Sequence, residues 1–200
     1  MRLADFVIKF LEEKKIDTVF TVSGGGSIFL CDALYKSKKL KYITCHHEQA
    51  VAYATESYSR ARNKPGAAIV TTGPGGTNCA SGVACCWIDS VPAIFISGQV
   101  FLNQTIGSSK KRQIGVQEIN IIDIVKPITK FAKLINDPNS INYYLEKAYA
   151  ICRSGRPGPV LLAIPADIQN AQIDEKKILK SLRITEEFLN ITEEYLLKND

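Results

Sequence analysis

One glutamate stands where a short apolar run gives way to a helical pattern, and a carboxylate is costly there if it is buried. Residues 43 to 48 read "ITCHHE". The run from Tyr42 to Cys45 predicts a buried strand, and the stretch from about Glu48 to Arg62 has helical spacing. Acids favour the first turn of a helix, so Glu48 could be only a dipole partner. In a dry pocket, its carboxylate could instead share a proton with a ligand nitrogen.

Four segments with turn-forming or polar residues each follow an apolar run. They are "SGGGS" (23–27), "CHHEQ" (45–49), "TTGPGGTN" (71–78) and "SGQV" (97–100). Ligands bind at the carboxyl ends of the strands in open parallel sheets, so these segments would meet at one edge. Any one glycine alone is best explained by a tight strand-to-helix turn. The four segments together, around one carboxylate, indicate a ligand site.

The sequence contains partial signals for two other kinds of site, a dinucleotide site and a metal site. "GPGGTN" nearly matches the dinucleotide fingerprint, which also needs an acidic residue at the end of the next strand. That strand ends in "SGQ" without an acid, so a nucleotide-binding oxidoreductase is disfavoured. Cys45, His46 and His47 could ligate a metal, but no second cluster with ligand spacing occurs, and no metal site is predicted.

Apolar runs alternate with amphipathic stretches along the chain. Strands that are apolar on both faces and separated by helices predict a doubly wound α/β domain, with a mostly parallel sheet of about six strands and helices on both faces. We expect this domain to end near residue 170. The predicted strands are 17–22, 41–45, 67–72, 93–98, 130–135 and 159–165, and the predicted helices are 3–15, 28–37, 48–62, 77–88, 119–125 and 141–152.

Composition excludes several classes of protein. The excess of 25 Lys+Arg over 20 Asp+Glu is mild, and the lysines near residue 38 favour a solvated face over a nucleic-acid partner. No apolar run approaches the roughly 18 residues of a membrane span, and the first residues lack a signal peptide's apolar segment. Without an export signal, the six cysteines favour a reduced, cytoplasmic protein.

The end of the chain differs from the rest. "ITEEFLN" (184–190) is followed at once by the near-repeat "ITEEYLL" (191–197). Two heptads are too few to predict a coiled coil, so we interpret residues 171–200 as a charged helical linker towards a further domain.

The order of the motifs resembles one known family. "VFTVSGGGS", "HHEQAVAYATESYSR", "KPGAAIVTTGPGGTN", "GVACCWIDSVPAIFISGQV" and "SGRPGPVLLAIPADIQ" closely resemble the amino-terminal, pyrimidine-binding domain of thiamine diphosphate enzymes. Within that family, the motifs look like those of acetolactate synthase. The resemblance covers roughly residues 3 to 170 and implies a thiamine diphosphate-binding fold.

The resemblance implies catalytic roles for Glu48 and Gln117. Glu48 matches the glutamate that hydrogen-bonds the pyrimidine ring nitrogen N1′ of thiamine diphosphate. The exocyclic nitrogen can then take the proton from thiazolium C2, so that the carbanion attacks a 2-keto acid. Gln117 matches a glutamine near the reacting carbonyl. The other implied cofactor-binding residues are the pyrimidine cradle, Thr72, Gly73, Pro74 and Asn78, and the loop over the cofactor, Ser23, Gly24 and Gly25.

Three departures from the family pattern affect the expected substrate. The usual Tyr-Pro-Gly-Gly is Val22-Ser23-Gly24-Gly25, and the phenylalanine before the glutamine is Val116. The loop "LNQTIGSSKKRQIGVQE" is also longer and more basic than in acetolactate synthase. A transferase of branched-chain amino acid biosynthesis is implied. A relative acting on another 2-keto acid, for instance in surface-sugar metabolism, stays open.

The resemblance also implies that this chain carries half of a site. The family holds the diphosphate and Mg²⁺ on a separate domain with a Gly-Asp-Gly sequence, which does not occur in these 200 residues. We therefore expect a homo-oligomer, a dimer, completed by a diphosphate-binding domain or subunit, and no activity from the chain alone. Truncation and a split subunit both stay open, and the linker-like tail favours truncation. A non-catalytic interaction module is the further alternative, which the presence of Glu48 disfavours.

Overall fold

A single parallel sheet organises the chain. The computed structural model describes residues 1–174, and within them six strands are hydrogen-bonded in the order β2-β1-β3-β4-β6-β5. The predicted six-stranded parallel sheet is confirmed. Residues 175–200, most of the predicted linker, lie outside the described residues. The strands are β1 Thr18–Thr21, β2 Lys41–Thr44, β3 Gly66–Val70, β4 Ala93–Gln99, β5 Phe131–Leu134 and β6 Pro159–Pro165.

Helices cover both faces of the sheet, which confirms the doubly wound prediction. Helices α1, α2, α7 and α8 pack with one hydrophobic core, and α3, α5 and α6 pack with the other. None of the helices within residues 1–174 is long and apolar enough to cross a membrane. The helices are α1 Leu3–Glu13, α2 Ile28–Lys36, α3 Glu48–Arg62, α4 Pro74–Asn78, α5 Ala80–Ile88, α6 Ile121–Val125, α7 Ile141–Arg153 and α8 Ala166–Asn170.

The central strands are buried along their whole length. Every residue of β3, β4 and β6 is buried, because helices shield both faces of the sheet. That burial explains why these three strands appear in the sequence as continuous apolar runs without polar alternation.

Strand β2 corrects one prediction. The run at Tyr42–Cys45 does form a strand, but all four residues of β2 are exposed. Tyr42 is 45% and Ile43 48% exposed. The prediction of a buried strand was wrong because β2 is an edge strand whose one neighbour in the sheet is β1.

The last described residues return to the start of the chain. Leu3 N–H donates to the Ala171 carbonyl (2.9 Å), and Ile173 N–H donates to the Met1 carbonyl (3.1 Å). The Ile173 side chain is buried in the core beside α1. Residues 171–173 are therefore packed as part of the α/β domain.

Parallel strands bring four loops to one edge of the sheet. The segments after β1, β2, β3 and β4 follow four neighbouring strands, so all four leave the same carboxyl edge. The chain runs from β1 outwards to β2 and then crosses back to β3 on the other side of β1. Such a reversal of strand order opens a crevice where ligands bind in α/β sheets.

Candidate functional site

Glu48 is the first residue of α3 and is 9% exposed. The preceding His47 caps the helix, since its Nδ1 accepts the Gln49 N–H (3.1 Å). Asn78 Nδ2 donates to Glu48 Oε2 (2.9 Å). Glu48 Oε1 lies 3.5 Å from the position that a Cβ on Gly75 would take. One carboxylate oxygen is therefore held by a neutral amide, and the other faces the glycine turn.

The turn after β3 and the start of α4 each require a glycine. Gly73 has φ +59°, and a Cβ there would lie 2.0 Å from the Gln117 carbonyl oxygen. A Cβ on Gly75 would lie 2.6 Å from Thr71 Cγ2. Glycine therefore lets this segment approach both the Gln117 backbone and the Thr71 side chain.

The loop after β1 packs against the same turn. Gly26 N–H donates to Thr71 Oγ1 (3.0 Å), and a Cβ on Gly24 would lie 2.5 Å from Thr71 Cβ. Gln169 Nε2 donates to the Gly26 carbonyl (2.7 Å) and so ties the loop to α8. A Cβ on Gly25 would have no heavy atom within 4 Å. Gly25 therefore borders open space beside the turn.

Gln117 lies on the rim of this edge in a strained conformation. Its φ of +60° is in the left-handed region, which side chains other than glycine rarely adopt. Gln117 and Val116 are both exposed, Val116 by 83%. Strained backbone of this kind clusters at functional sites. The strain here coincides with the packing of the Gln117 carbonyl against Gly73.

A buried glutamine ties the β3 turn to the segment around Gln117. The Thr72 hydroxyl donates to Gln99 Oε1, and Gln99 Nε2 donates to the Ile119 carbonyl (2.9 Å). Gln99 is 3% exposed. These bonds fix the position of the Gln117 segment relative to Thr72, which belongs to the pyrimidine cradle predicted from the sequence.

The structure places every predicted site residue at the carboxyl edge. Glu48, Gly75 and Asn78 are in direct proximity, and the loop at Ser23–Gly25 reaches them through Thr71. Gln117 reaches them through Gly73, and within residues 1–174 no hydrogen bond joins Gln117 to Glu48. The Asn78 amide, which was predicted to line the pyrimidine cradle, binds the Glu48 carboxylate.

Sequence reasoning missed four polar residues that hold this edge together. Thr71, Gln99 and Glu118 lie inside motifs already singled out, next to the residues chosen from them. A polar residue at the end of an apolar strand is the signal that could have found Thr71 and Gln99, because buried polar groups need hydrogen-bond partners. The fourth, Gln169, follows the last strand and carries no comparable signal. The missed residues are Thr71, Gln99, Glu118 and Gln169.

The electrostatics around Glu48 are simple. Within residues 1–174, no Lys, Arg or His forms an ion pair with Glu48. Burial, and secondarily the negative charge of Glu48, raise the pKa of the Cys79 thiol to about 12, so this neighbour stays neutral. Glu48 Oε1 is thus suited to accept a hydrogen bond from a ligand N–H in a poorly solvated environment.

Metal-ligating side chains do not cluster at this edge. In the described part of the chain, no group of three or more His, Cys, Asp and Glu residues could hold a metal ion. All six cysteines are free thiols. Cys45, His46 and His47 therefore have no partners there that would complete a metal site.

Comparisons with known proteins agree on one family. Residues 1–124 match the family model described as "Thiamine pyrophosphate enzyme, N-terminal TPP binding domain". The chain is 40% identical over 169 residues to "Acetolactate synthase, chloroplastic" of Arabidopsis thaliana, covering 83% of this chain and 24% of that protein. It is 37% identical over 171 residues to "Acetolactate synthase large subunit" of Corynebacterium glutamicum, covering 86% of this chain and 26% of that protein.

An archaeal protein shows the same degree of similarity. The "Probable acetolactate synthase large subunit" of Methanocaldococcus jannaschii is 37% identical over 177 residues, which cover 88% of this chain and 29% of that protein. The chain thus spans about a quarter of the length of the curated relatives it matches.

Proposed function

We propose that this chain supplies the pyrimidine-binding half of an acetolactate synthase-like active site. The premise is that the chain belongs to the thiamine pyrophosphate enzyme family and contains its N-terminal TPP binding domain. The observation that carries this proposal is the Glu48 carboxylate, which is buried, fixed at Oε2 by Asn78 and without a hydrogen-bond partner at Oε1 among residues 1–174.

The residues present fit the aminopyrimidine end of thiamine diphosphate. Glu48 Oε1 can bind and share a proton with a ring nitrogen, while the absence of a side chain at Gly75 keeps space open beside that oxygen. The cofactor, when bound, supplies the carbon nucleophile and electron sink for 2-keto acid chemistry. The contribution of this chain is to hold one proton at Glu48 Oε1. A charge-assisted hydrogen bond in a poorly solvated site is suited to this role because it requires little reorganisation.

The substrate is proposed to be a 2-keto acid, with Gln117 near the reacting carbonyl. The exposed position of Gln117 on the rim and the packing of its backbone on Gly73 support this assignment. The second candidate function is that of an enzyme acting on a 2-keto acid outside branched-chain amino acid biosynthesis. It is supported by Ser23 and Val116, which depart from the acetolactate synthase pattern beside the site. A non-catalytic module would have no use for a buried carboxylate with an unused oxygen, since such a group is costly to maintain.

The rest of the site is proposed to come from a second domain or subunit. We propose that this second domain or subunit holds the diphosphate and Mg²⁺. We also propose that the assembled protein is a homodimer and that the 200 residues alone are inactive. The family resemblance supports these proposals. Six free cysteines also fit a reducing compartment, so we propose the cytoplasm as the location.

A binding experiment on the chain itself tests the pyrimidine assignment. The hydroxymethyl aminopyrimidine half of thiamine is titrated into the isotope-labelled chain while amide NMR signals are recorded. We expect weak binding with shifts at Glu48, Gly75 and Asn78, and no such shifts in Glu48→Gln.

Glu56→Gln is the matched control for this titration. Glu56 lies on the same helix and is also 9% exposed, but its carboxylate pairs with Arg60 away from the site. Shifts that persist in Glu48→Gln, or that occur away from the carboxyl edge, would refute the assignment.

A further inference from the structure

The loop between β4 and α6 carries a concentrated positive charge. Lys110, Lys111 and Arg112 are consecutive and exposed, and residues 90–117 contain no Asp or Glu. Within the described residues, none of these three cations forms an ion pair. In contrast, Lys36 and Lys39 at the other basic segment pair with Asp32 and Glu12. The loop charge is therefore uncompensated, whereas much of the other basic surface is balanced.

A buried carboxylate closes the base of this loop. Glu118 is 6% exposed, and its two oxygens accept the N–H groups of Ile106 (3.0 Å) and Ile114 (3.4 Å) on the two sides of the loop. Gly115 N–H also donates to the Gln104 carbonyl (2.8 Å). Residues 107–113 thus project from a fixed base, and the carboxylate at that base is occupied by backbone donors.

The base of the loop adjoins the predicted site. Glu118 follows Gln117, whose carbonyl packs on Gly73 in the pyrimidine cradle. Arg112 is two residues from the anchored Ile114, so its Cα lies within about 7 Å of that anchor. The long side chains of Lys and Arg extend this reach further. Arg112 therefore lies near the anchored base of the loop, on the side of Gln117, and Lys110 and Lys111 directly precede it in the chain.

We infer that this loop binds phosphate groups of the substrate that accepts the keto acid-derived carbon unit. A simple 2-keto acid carries one carboxylate, which does not require three uncompensated cations beyond the Gln117 rim. Lys and Arg are the side chains that bind phosphate oxygens, and the hydroxyls of Ser108 and Ser109 precede them directly. This inference names the substrate class of the proposed active site and therefore rests on the proposed function.

The inference is tested by titrating inorganic pyrophosphate into the labelled chain, without thiamine, and following the amide NMR signals. We expect shifts at residues 107–114, weakened by added salt because exposed charges are screened. Affinity should fall at least tenfold in Lys110→Ala/Lys111→Ala/Arg112→Ala. Pyruvate, at equal concentration, should leave these signals in place.

A matched variant controls for nonspecific attraction to positive charge. Lys38→Ala/Lys39→Ala/Lys41→Ala removes three exposed cations before and at the start of β2, at the opposite edge of the sheet, and should bind pyrophosphate as the unmodified chain does. Equal losses in the two triple variants, or no shifts at residues 107–114 with pyrophosphate, would overturn the inference. Capture of an acidic protein by the loop without pyrophosphate binding would overturn it as well.

Two further probes identify the source of the phosphate. Uridine diphosphate and ribose 5-phosphate are compared at the same ionic strength. Preferential binding of uridine diphosphate at residues 107–114 supports the site and identifies its ligand as a nucleoside diphosphate. Preferential binding of ribose 5-phosphate supports the site and identifies its ligand as a sugar phosphate. The outcome is separable from the aminopyrimidine titration, because neither Glu48 nor the thiamine cofactor takes part in it.

Discussion

Glu48 has one carboxylate oxygen occupied and one free, and this asymmetry determines what the residue can do. Asn78 holds Oε2 at 2.9 Å, so the carboxylate cannot rotate without losing a hydrogen bond. Oε1 then points towards the space that the glycine turn leaves open. The sequence predicted Glu48 and the glycines, because their types are unusual at strand ends. It did not predict the Asn78 contact, which requires the fold to bring residues 30 positions apart together.

Gly75→Ala should destabilise the domain at the residue level. The new Cβ would lie 2.6 Å from Thr71 Cγ2, and Thr71 also accepts the Gly26 N–H. We expect a loss of about 1–2 kcal/mol in the free energy of unfolding, since overpacking costs about 1–3 kcal/mol and helical Gly→Ala returns up to about 1 kcal/mol. Urea denaturation measures this change.

Gly25→Ala is the control for stability. A Cβ at Gly25 meets no heavy atom within 4 Å, so its free energy of unfolding should change by less than about 0.5 kcal/mol. Equal stability of the two variants would show that the β3 turn is not packed as described.

Helix α3 is held at both of its ends, which fixes the direction in which Glu48 enters the site. At its amino end, His47 caps the helix and the Cys79 thiol donates to the Glu48 carbonyl (3.4 Å). Near its carboxyl end, the Tyr58 hydroxyl and Arg62 bind Asp17, the residue before β1. Asp17 thereby ties α3 to the sheet at the edge opposite the site.

Acid should weaken this attachment. The Tyr58 hydroxyl, followed by Thr18 and Lys64, holds the pKa of Asp17 below its ordinary value, against the opposing effect of burial. Because the folded-state pKa is lower than the unfolded value of about 3.9, the stabilisation is fully present above about pH 5 and is lost as the pH falls through the folded pKa.

Asp17→Asn tests this pH dependence. We expect the variant to be less stable than the unmodified chain by about 1 kcal/mol at pH 7, a figure reduced for solvent screening because the Asp17 side chain is 44% exposed. The difference should shrink as the pH falls below 4 in acid titrations of the free energy of unfolding. Glu13→Gln, which removes one exposed pair with Lys9, should show a smaller difference. A difference for Asp17→Asn that stayed constant down to pH 2 would contradict the assignment.

At the level of elements, the sequence predicted all six strands and the two-sided helical cover. Continuous apolar runs such as β4 and β6 are distinctive, because both faces of a central strand must be buried. The burial of β2 could not be predicted, since an edge strand and a central strand can have the same apolar letters. The helix at Pro74 also starts three residues before the predicted one at 77, because proline is favoured at the first position of a helix.

Three apolar side chains are exposed close together on one face of the whole molecule. On the side of α3 and α5, Tyr53 is 41%, Trp87 42% and Ile88 66% exposed. Ile43 of the edge strand β2 adds to this side, because it is paired with Phe20, which lies in the same core. Grouped apolar surface of this kind marks protein interfaces. We propose that this side is covered by a second copy of the chain in the homodimer.

Self-association of the isolated chain tests this proposal by multi-angle light scattering. We expect a dimer at high concentration, and dissociation to monomer in Ile88→Lys, because a lysine in an apolar interface carries a large desolvation cost. Tyr35→Lys is the control, since Tyr35 is 72% exposed but lies on α2, on the opposite side of the sheet. This face would be excluded as the dimer interface if the unmodified chain were monomeric at high concentration. Equal effects of the two substitutions would exclude it as well.

We propose that residues 1–174 supply the catalytic glutamate of a thiamine diphosphate site whose other half lies elsewhere. The most direct measurement is carbon dioxide release from pyruvate, with thiamine diphosphate and Mg²⁺. It compares the chain alone with a chimaera in which residues 1–174 replace the matching segment of the Corynebacterium glutamicum protein. We predict no release by the chain alone and cofactor-dependent release by the chimaera. Glu48→Gln should lower that rate roughly 100-fold or more, while Glu56→Gln retains it. Near-normal turnover by Glu48→Gln, or magnesium-dependent turnover by the 200 residues alone, would contradict this account.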